Sequence, residues 1–570
     1  MTLTGKSAAP GIAVGSIYIY NEKVIIPSET FISSGEERSH IERYFSVKKL
    51  VLGELEAIRV SIEKVDPERA LIFDAQKEIA EDIIINEVIP EKILKERWSG
   101  DWAIYQVYET YADMLRKAPD PLISERAADF DDVRARLIRL WNGINYEGLS
   151  SLKEPVIIAA LDLKPSDTAS IDKKNVLAIL TESGGETGHT AIIAKSYGIP
   201  AVMGIEKLLN FVKQGQRAAI NSGEGIVILD PDDDVVAEYA EKSGVFLMDR
   251  KDAETYRKKE GRTSCGVKID IGVNISSVSK NKQELKAQSF TDYLGLLRTE
   301  FLFMGRASLP SEDEQFTHYK NILKTFGKKP VILRVMDIGA DKQLPYMNQP
   351  AEENPFLGIR GIRFCFNNPE IFKSQIRAAL RASVFGNLWL MLPMISSVEE
   401  IRKAKEIIEE VKKSLKKEKV NLGEIKIGIM IEVPSVALIA DLAAKEVDFA
   451  SIGSNDLCQY VCAADRTNSS AESYYNKYHP AIFRLIKKII DSFNAAGKPL
   501  SICGELGNDR LALPLLIGLG LRKLSMGAAS VADVKRGIAS ISVKQAEITA
   551  GKVLEMATAD EVRSYLSDGK

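Results

Sequence analysis

From residue 266 onward, eight short apolar runs recur with amphipathic segments between them, and this alternation constrains the chain more than any other feature. The runs are Val267–Asn274, Tyr293–Leu297, Pro330–Met336, Leu388–Met394, Ile427–Val433, Phe449–Ser454, Leu500–Cys503 and Lys523–Met526. Each is short enough for a buried strand, whereas segments such as Ile401–Leu415 and Ala481–Ala495 carry helical spacing. Repeated strand–helix units predict a parallel sheet covered by helices. A doubly wound open sheet is one solution; a count of eight favours a (β/α)8 barrel. Residues 263–570 exceed the roughly 250 typical of that fold, which leaves room for insertions.

In such a barrel the chemistry sits at the C-terminal ends of the strands. There the second run ends at Arg298-Thr299-Glu300, and the third carries Arg334 into Asp337, followed by Asp341 and Lys342. The fifth ends at Glu432, the sixth at Ser454-Asn455-Asp456 and the seventh at Cys503-Gly504-Glu505. Insertions add Asn354, Arg360, Arg363 and Arg466. Converging arginines match a substrate with carboxylate or phosphate oxygens. Glu432 and Asp456, on separate strands, suit a hard cation such as Mg2+, which takes one or two carboxylates and completes its shell with water and phosphate. A cysteine among them can act as a general acid or base. Ordinary ion pairs at strand ends are the competing explanation, and it accounts poorly for such residues on five strands.

The first half reads differently. Residues 1–20 are extended, around Gly11–Gly15 and Ile17–Tyr20. Residues 35–145 are poor in glycine and periodic at helical spacing, with Leu71, Ile72, Ala75, Ile79 and Ala80 on one face. Periodicity alone leaves open whether this helical block is a subdomain or a spacer. Strand patterns resume at Pro155–Ala159, Val176–Leu180, Ala201–Met203 and Gly225–Leu229, so the block is inserted into an α/β domain. A charged helical stretch from Pro231 to about Gly261 then reads as a linker. Within the α/β part, Gly184-Gly185-Glu186-Thr187-Gly188-His189 opens into an apolar-periodic helix. Backbone N–H groups and the helix dipole there can accept negative charge beside a histidine. By themselves these residues fit better a glycine turn with a chance histidine beside a short helix.

Composition narrows the setting. A chain of 570 residues implies three or four domains. Its 76 basic and 79 acidic residues give no bias toward nucleic acid or an anionic membrane. Apolar runs such as Leu511–Leu521 are far too short to span a bilayer, and no signal peptide pattern opens the chain. Five scattered cysteines fit a reducing, cytoplasmic setting, and Cys458 and Cys462 read as core packing.

Taken together, these motifs resemble the Enzyme I family, the phosphoenolpyruvate-protein phosphotransferases of the bacterial sugar phosphotransferase system. The resemblance covers nearly the whole chain. It is carried by Gly185–Ala194, Arg298–Met304, Glu353–Gly358, Gly428–Ser435, Asn455-Asp456-Leu457, His479-Pro480-Ala481 and Ile502–Leu506. It implies that His189 accepts the phosphoryl group, with Thr168 as a supporting neighbour. It implies that Arg298 and Arg334 hold the phosphate of phosphoenolpyruvate near Lys342. Asn455 and Arg466 would bind the phosphate and carboxylate end, and Arg360 would approach the enol group. Glu432 and Asp456 would ligate Mg2+, and Cys503 would protonate the enolate carbon as pyruvate forms.

The implied organisation is a phosphohistidine α/β domain at 1–20 and 148–230 and an inserted helical subdomain at 21–147 that docks the phosphocarrier HPr. A linker helix at 231–262 and a barrel at 263–570, which binds phosphoenolpyruvate and forms a homodimer, complete it. Departures from the family pattern are Gly188 and Lys195 beside the histidine, Val335 and Ala340 after the third strand, Thr467 after Arg466, and Gln76 where a histidine is frequent. Related dikinases and phosphoenolpyruvate synthases share the barrel and histidine domain. They also need a nucleotide-binding domain, and no GxxxxGK[ST] loop is present. A non-enzymatic homologue would be expected to lack part of this residue set, and none of it is missing.

Overall fold

The computed structural model describes residues 1–20, 25–63, 67–117, 126–144, 149, 152–163, 167–168, 171, 174–184, 189–275, 285–304, 306, 308–339, 344, 346–347, 352–466 and 468–568. The chain divides into two units, Met1–Asp249 and Arg250–Lys570.

The first unit holds a sheet of eight strands: β1 (Thr2–Thr4), β2 (Lys6–Ala9), β3 (Ile12–Tyr20), β4 (Val156–Ala160), β5 (Val176–Thr181), β6 (Ala201–Met203), β7 (Arg217–Asn221) and β8 (Ile226–Leu229). Their order is β1-β8-β7-β3-β4-β5-β6-β2. The central β3, β4, β5 and β6 run parallel, while β7 pairs antiparallel with both β3 and β8. Alternate residues of β4 and β5 feed two separate cores, Ile157, Ala159, Ala178 and Leu180 in one and Ile158, Ala160 and Ile179 in the other. Burial on both faces explains why these strands read as unbroken apolar runs. The sequence pattern gave no sign of β7, because Arg-Ala-Ala-Ile-Asn has little β-branched or aromatic content.

Between β3 and β4 lie five helices among the described residues: Glu37–Glu63, Pro67–Glu81, Ile83–Glu96, Gly100–Arg116 and Ala127–Trp141. They enclose a core of their own built on Tyr44, Val51, Leu55, Phe73, Ile104, Tyr108 and Leu137. The buried face of the second helix includes Phe73, Gln76, Ile79 and Ala80, with Ala75 only partly covered. Ile79 and Ala80 of the stripe read from the sequence are thus buried, and Phe73 adds a large apolar anchor that the stripe left out. Gln76 is buried and donates from Nε2 to Asp132 Oδ2 at 3.2 Å.

The second unit is a closed parallel barrel of eight strands: β9 (Asp270–Ile275), β10 (Tyr293–Arg298), β11 (Pro330–Arg334), β12 (Asn387–Leu392), β13 (Ile425–Ile431), β14 (Phe449–Gly453), β15 (Leu500–Cys503) and β16 (Lys523–Met526). The expected barrel is thus present, and each strand overlaps its apolar run. Interior positions are filled by Tyr293, Leu296, Ile332, Trp389, Met391, Met430, Phe449 and Cys503, so the barrel is a packed core rather than a pore. Crossover helices begin where the local chemistry dictates. Ser311 and Ser397 each form a capping box with the glutamate three residues on, Glu314 and Glu400. Pro480 opens the helix Pro480–Ala495 at a position where its missing N–H costs nothing. The helix Asp233–Tyr256 carries the chain from one unit to the other. No helix among the described residues is long and apolar enough to cross a membrane.

Candidate active site

Strand ends deliver the site. β10 and β11 finish on Arg298 and Arg334, β13 leads into Glu432, and β15 finishes on Cys503. The helix Ser454–Cys462 starts directly after β14 and carries Asn455 and Asp456 in its first turn. A cavity of about 200 Å³ at this end of the barrel is lined by Arg298, Arg334, Arg360, Arg466, Glu432, Asn455, Asp456 and Cys503. Of the barrel residues singled out from the sequence, Arg298, Arg334, Asp337, Arg360, Glu432, Asn455, Asp456, Arg466 and Cys503 therefore line one cavity, whereas Asn354 and Arg363 do not, and Asp341 lies outside the described residues. Lys342, with Ala340 and Thr467, lies outside the described residues.

The charges are interlocked. Arg360 is buried and donates from Nε and Nη2 to Asp337 at 3.0 and 2.9 Å. It also donates from Nη1 and Nη2 to Asp456 at 3.1 and 3.2 Å. Arg334 lies against Glu300 through Nη2 and 3.1 Å from Asp337 through Nη1, while its buried Nε has no hydrogen-bond partner among the described residues. Burial alone would raise the pKa of Asp456, but Arg360 and Arg466 bring it below the usual value. Four arginines line the cavity against three carboxylates, Asp337, Glu432 and Asp456, which suits an anionic ligand.

Glu432 stands apart from the other two acids. Its Oε1 accepts the Met394 N–H at 2.7 Å, and Met394 reaches that position with a left-handed φ of 54°. The other oxygen, Oε2, is buried without a hydrogen-bond partner among the described residues. Burial first, then Asp456 and Asp337, push the carboxyl pKa upward. An orphaned carboxylate oxygen beside a second carboxylate is the arrangement a divalent cation satisfies. Among the described residues no group of three or more His, Cys, Asp or Glu is placed to hold a metal, so further ligands would have to come from substrate or water.

Cys503 is buried, and burial pushes its thiol pKa up to about 11; near neutral pH it therefore carries its proton. The loop beyond it depends on Gly504, at φ 96°, where a Cβ would lie 2.4 Å from Ser454 Oγ and 2.7 Å from Asn455 Oδ1. Ser454 Oγ donates to the Cys503 carbonyl at 2.8 Å, and the Glu505 N–H donates to Asn455 Oδ1 at 2.9 Å. The amide nitrogen of Asn455 makes no hydrogen bond among the described residues.

Several supporting residues, or the roles they play, escaped the sequence reading. Asp337 was visible at the rim, but its position three residues after Arg334 is what lets it clamp two arginines. Tyr460, four residues after Asp456 on the same helix face, puts its hydroxyl 3.4 Å from Arg360 Nη1 and donates to the Phe356 carbonyl at 2.6 Å. Gln375 is buried on the helix Pro369–Ala382, accepts the Met336 N–H at 3.0 Å and donates to Thr299 Oγ1 at 2.9 Å. Its sequence signal was a glutamine on an otherwise apolar helix face. Met394 had no signal at all.

His189 lies in the first unit, as the opening residue of the helix His189–Tyr197. The preceding residues 185–188, Gly188 among them, lie outside the described residues. Thr190 Oγ1 donates to the Leu163 carbonyl at 3.2 Å, which ties the first turn of that helix to the segment after β4. Thr168 is fully buried, and Lys195 is exposed.

A barrel whose strand-end cavity gathers arginines and carboxylates suits a phosphoenolpyruvate-utilising enzyme, and three family models place the chain in that class. The chain matches "PEP-utilising enzyme, N-terminal" over residues 4–126, "PEP-utilising enzyme, mobile domain" over 152–225 and "PEP-utilising enzyme, PEP-binding domain" over 250–543. It is 38% identical to the phosphoenolpyruvate-protein phosphotransferase of Staphylococcus carnosus, over 98% of this chain and 97% of that one. The proteins of the same name from Bacillus subtilis and Buchnera aphidicola are also each 38% identical, over 99% of both chains. The chain belongs to the phosphoenolpyruvate-protein phosphotransferase family.

Proposed function

We propose that this enzyme takes the phosphoryl group of phosphoenolpyruvate onto His189, releases pyruvate, and passes the group to a histidine of the phosphocarrier HPr as the first step of sugar uptake. The observation that carries this reading is the union, in one cavity, of four arginines, the Glu432–Asp456 pair and a protonated Cys503.

Phosphoryl transfer demands positioning and stabilisation of spread negative charge more than covalent chemistry. Arg298 and Arg334 hold the substrate phosphate, Asn455 and Arg466 its phosphate and carboxylate end, and Arg360 the side of the enol oxygen. Lys342 adds a further cation near the phosphate. Glu432 and Asp456 are the residues that would hold Mg2+, which supplies positive charge to the substrate oxygens. Once the phosphoryl group has left, Cys503 gives its proton to the enolate carbon. His189 receives the phosphoryl group at the start of a helix, where backbone N–H groups and the dipole favour a negative charge, and Thr168 supports the ring.

The histidine and the cavity belong to different units, so the reaction needs the first unit to bring His189 to the barrel and then to the partner. In this reading residues 1–20 and 148–230 are the phosphohistidine domain and 231–262 the linker. Residues 21–147 dock HPr, and the exposed Phe45, Leu50, Ile83 and Ile84 give that block apolar surface for a partner. The barrel, 263–570, pairs with a second copy, and the enzyme works in the cytoplasm.

Incubation with phosphoenolpyruvate carrying labelled phosphorus, plus Mg2+, tests the core of this reading. An acid-labile adduct should form on the wild type and pass to added HPr. A label that persists in His189→Ala would refute the acceptor assignment, and labelling driven by ATP alone would point to a dikinase instead.

A further inference from the structure

Beneath the cavity the barrel interior is apolar except for a few hydroxyls, and two of them, on Tyr293 and Ser451, have no hydrogen-bond partner among the described residues. Alternation along β14 turns Phe449, Ser451 and Gly453 inward, as it does Ser501 and Cys503 on the neighbouring β15. The register pairs Ser451 with Ser501 and Gly453 with Cys503, so Ser451 sits one step below the Cys503 sulfur. Ser451 is fully buried, and its Oγ has no hydrogen-bond partner among the described residues. The Cys503 thiol donates to the Ile452 carbonyl at 3.5 Å. Burial raises the thiol pKa most, and the neighbouring Ser451 hydroxyl acts in the opposite direction. Leaving a buried hydroxyl unpaired carries a desolvation cost, which a later state of the reaction can recover.

We infer that Ser451 donates a hydrogen bond to the Cys503 sulfur when that sulfur becomes a thiolate, and thereby stabilises the proton transfer that completes pyruvate. The inference rests on the reading of Cys503 as the acid. In that step the S–H bond breaks and its electron pair stays on sulfur. The proton forms the new C–H bond at the enolate carbon while the enolate oxygen becomes the ketone. The Ser451 O–H bond stays intact throughout, and the thiol is restored from water after pyruvate leaves. A donor that is unpaired beside the thiol and attracted by the thiolate stabilises the charge-developing state selectively. The charged groups that face the sulfur are Glu432, which opposes the thiolate, and Arg334 and Arg298, which favour it. Both arginines are assigned to the substrate phosphate, so Ser451 supplies the neutral donor on the underside.

Single-turnover measurements on the full-length enzyme, with phosphoenolpyruvate and Mg2+, separate phosphoryl arrival on His189 from the appearance of keto pyruvate. Ser451→Ala should load His189 at the wild-type rate but form pyruvate about ten- to a hundredfold more slowly. Ser451→Thr, which keeps the hydroxyl, should recover most of that loss. Alkylation of Cys503 by iodoacetamide should also need a higher pH in Ser451→Ala, a change that a packing role would not produce. Wild-type pyruvate formation in Ser451→Ala, with Cys503→Ala slow, would overturn this inference alone. Equal losses of both rates in Ser451→Ala would likewise reduce Ser451 to packing. Wild-type pyruvate formation in Cys503→Ala would overturn the acid assignment itself.

Discussion

Asp337 receives the Arg360 guanidinium side-on, through two hydrogen bonds of 3.0 and 2.9 Å, and holds it against Asp456 on another strand end. Only a planar fork with several donors can serve both carboxylates at once. Arg360→Lys should therefore leave one buried carboxylate without compensation. We expect a loss of about 3 kcal/mol in barrel stability and a higher KM for phosphoenolpyruvate. Urea unfolding followed by barrel tryptophan fluorescence checks the first part. An unchanged unfolding midpoint would show that the clamp is not needed.

Gly504 controls the geometry of its neighbours through what it lacks. At φ 96° an alanine would be strained, and its Cβ would press on Ser454 Oγ and Asn455 Oδ1. Gly504→Ala should keep the barrel folded while displacing Asn455, and weaken phosphoenolpyruvate binding by about tenfold. Isothermal titration measures this directly; wild-type affinity would mean that Asn455 is placed by other contacts.

How much of this could be read in advance depended on whether the signal was local. The barrel was legible because each buried parallel strand is a continuous apolar run, and the runs are separated by segments of helical spacing such as Ile401–Leu415 and Ala481–Ala495. The rim charges were legible because strand ends are fixed points in such a fold, which places Arg298, Arg334, Glu432, Asp456 and Cys503. The order of the first unit's sheet was not, since β2 is Lys-Ser-Ala-Ala and is held by its pairing with β6. Nor was the support for Glu432, because the Met394 N–H reaches it only through a left-handed backbone that no residue preference announces. Ser451 looked like an ordinary strand residue; only the barrel's inward alternation gives it a neighbour in Cys503.

The bare Oε2 of Glu432 yields a prediction about ligand-linked stability. Phosphoenolpyruvate and Mg2+ added together near saturation should raise the barrel's melting temperature by about 5 °C beyond either alone, following ordinary binding linkage. Glu432→Gln retains an oxygen for the Met394 N–H and removes the charge, so it should fold normally and lose that joint increment. A joint increment of wild-type size in the variant would exclude Glu432 as a cation ligand.

His318 gives the barrel a pH-dependent stability unrelated to catalysis. It lies on the helix Glu312–Phe326, edge-on to Tyr319 with ring centres 6.0 Å apart, and burial lowers its pKa from 6.5 to about 4. Between those values the unfolded chain binds a proton that the native chain refuses. The group's contribution is therefore full above pH 6.5 and is lost as pH falls toward about 4. By about pH 5 the loss should reach about 2 kcal/mol. His318→Gln carries no titrating group and should lose correspondingly less between about pH 7.5 and pH 5, which urea titrations at the two values would measure. Equal losses in the variant and the wild type would show that the imidazole remains free to take up a proton in the folded barrel.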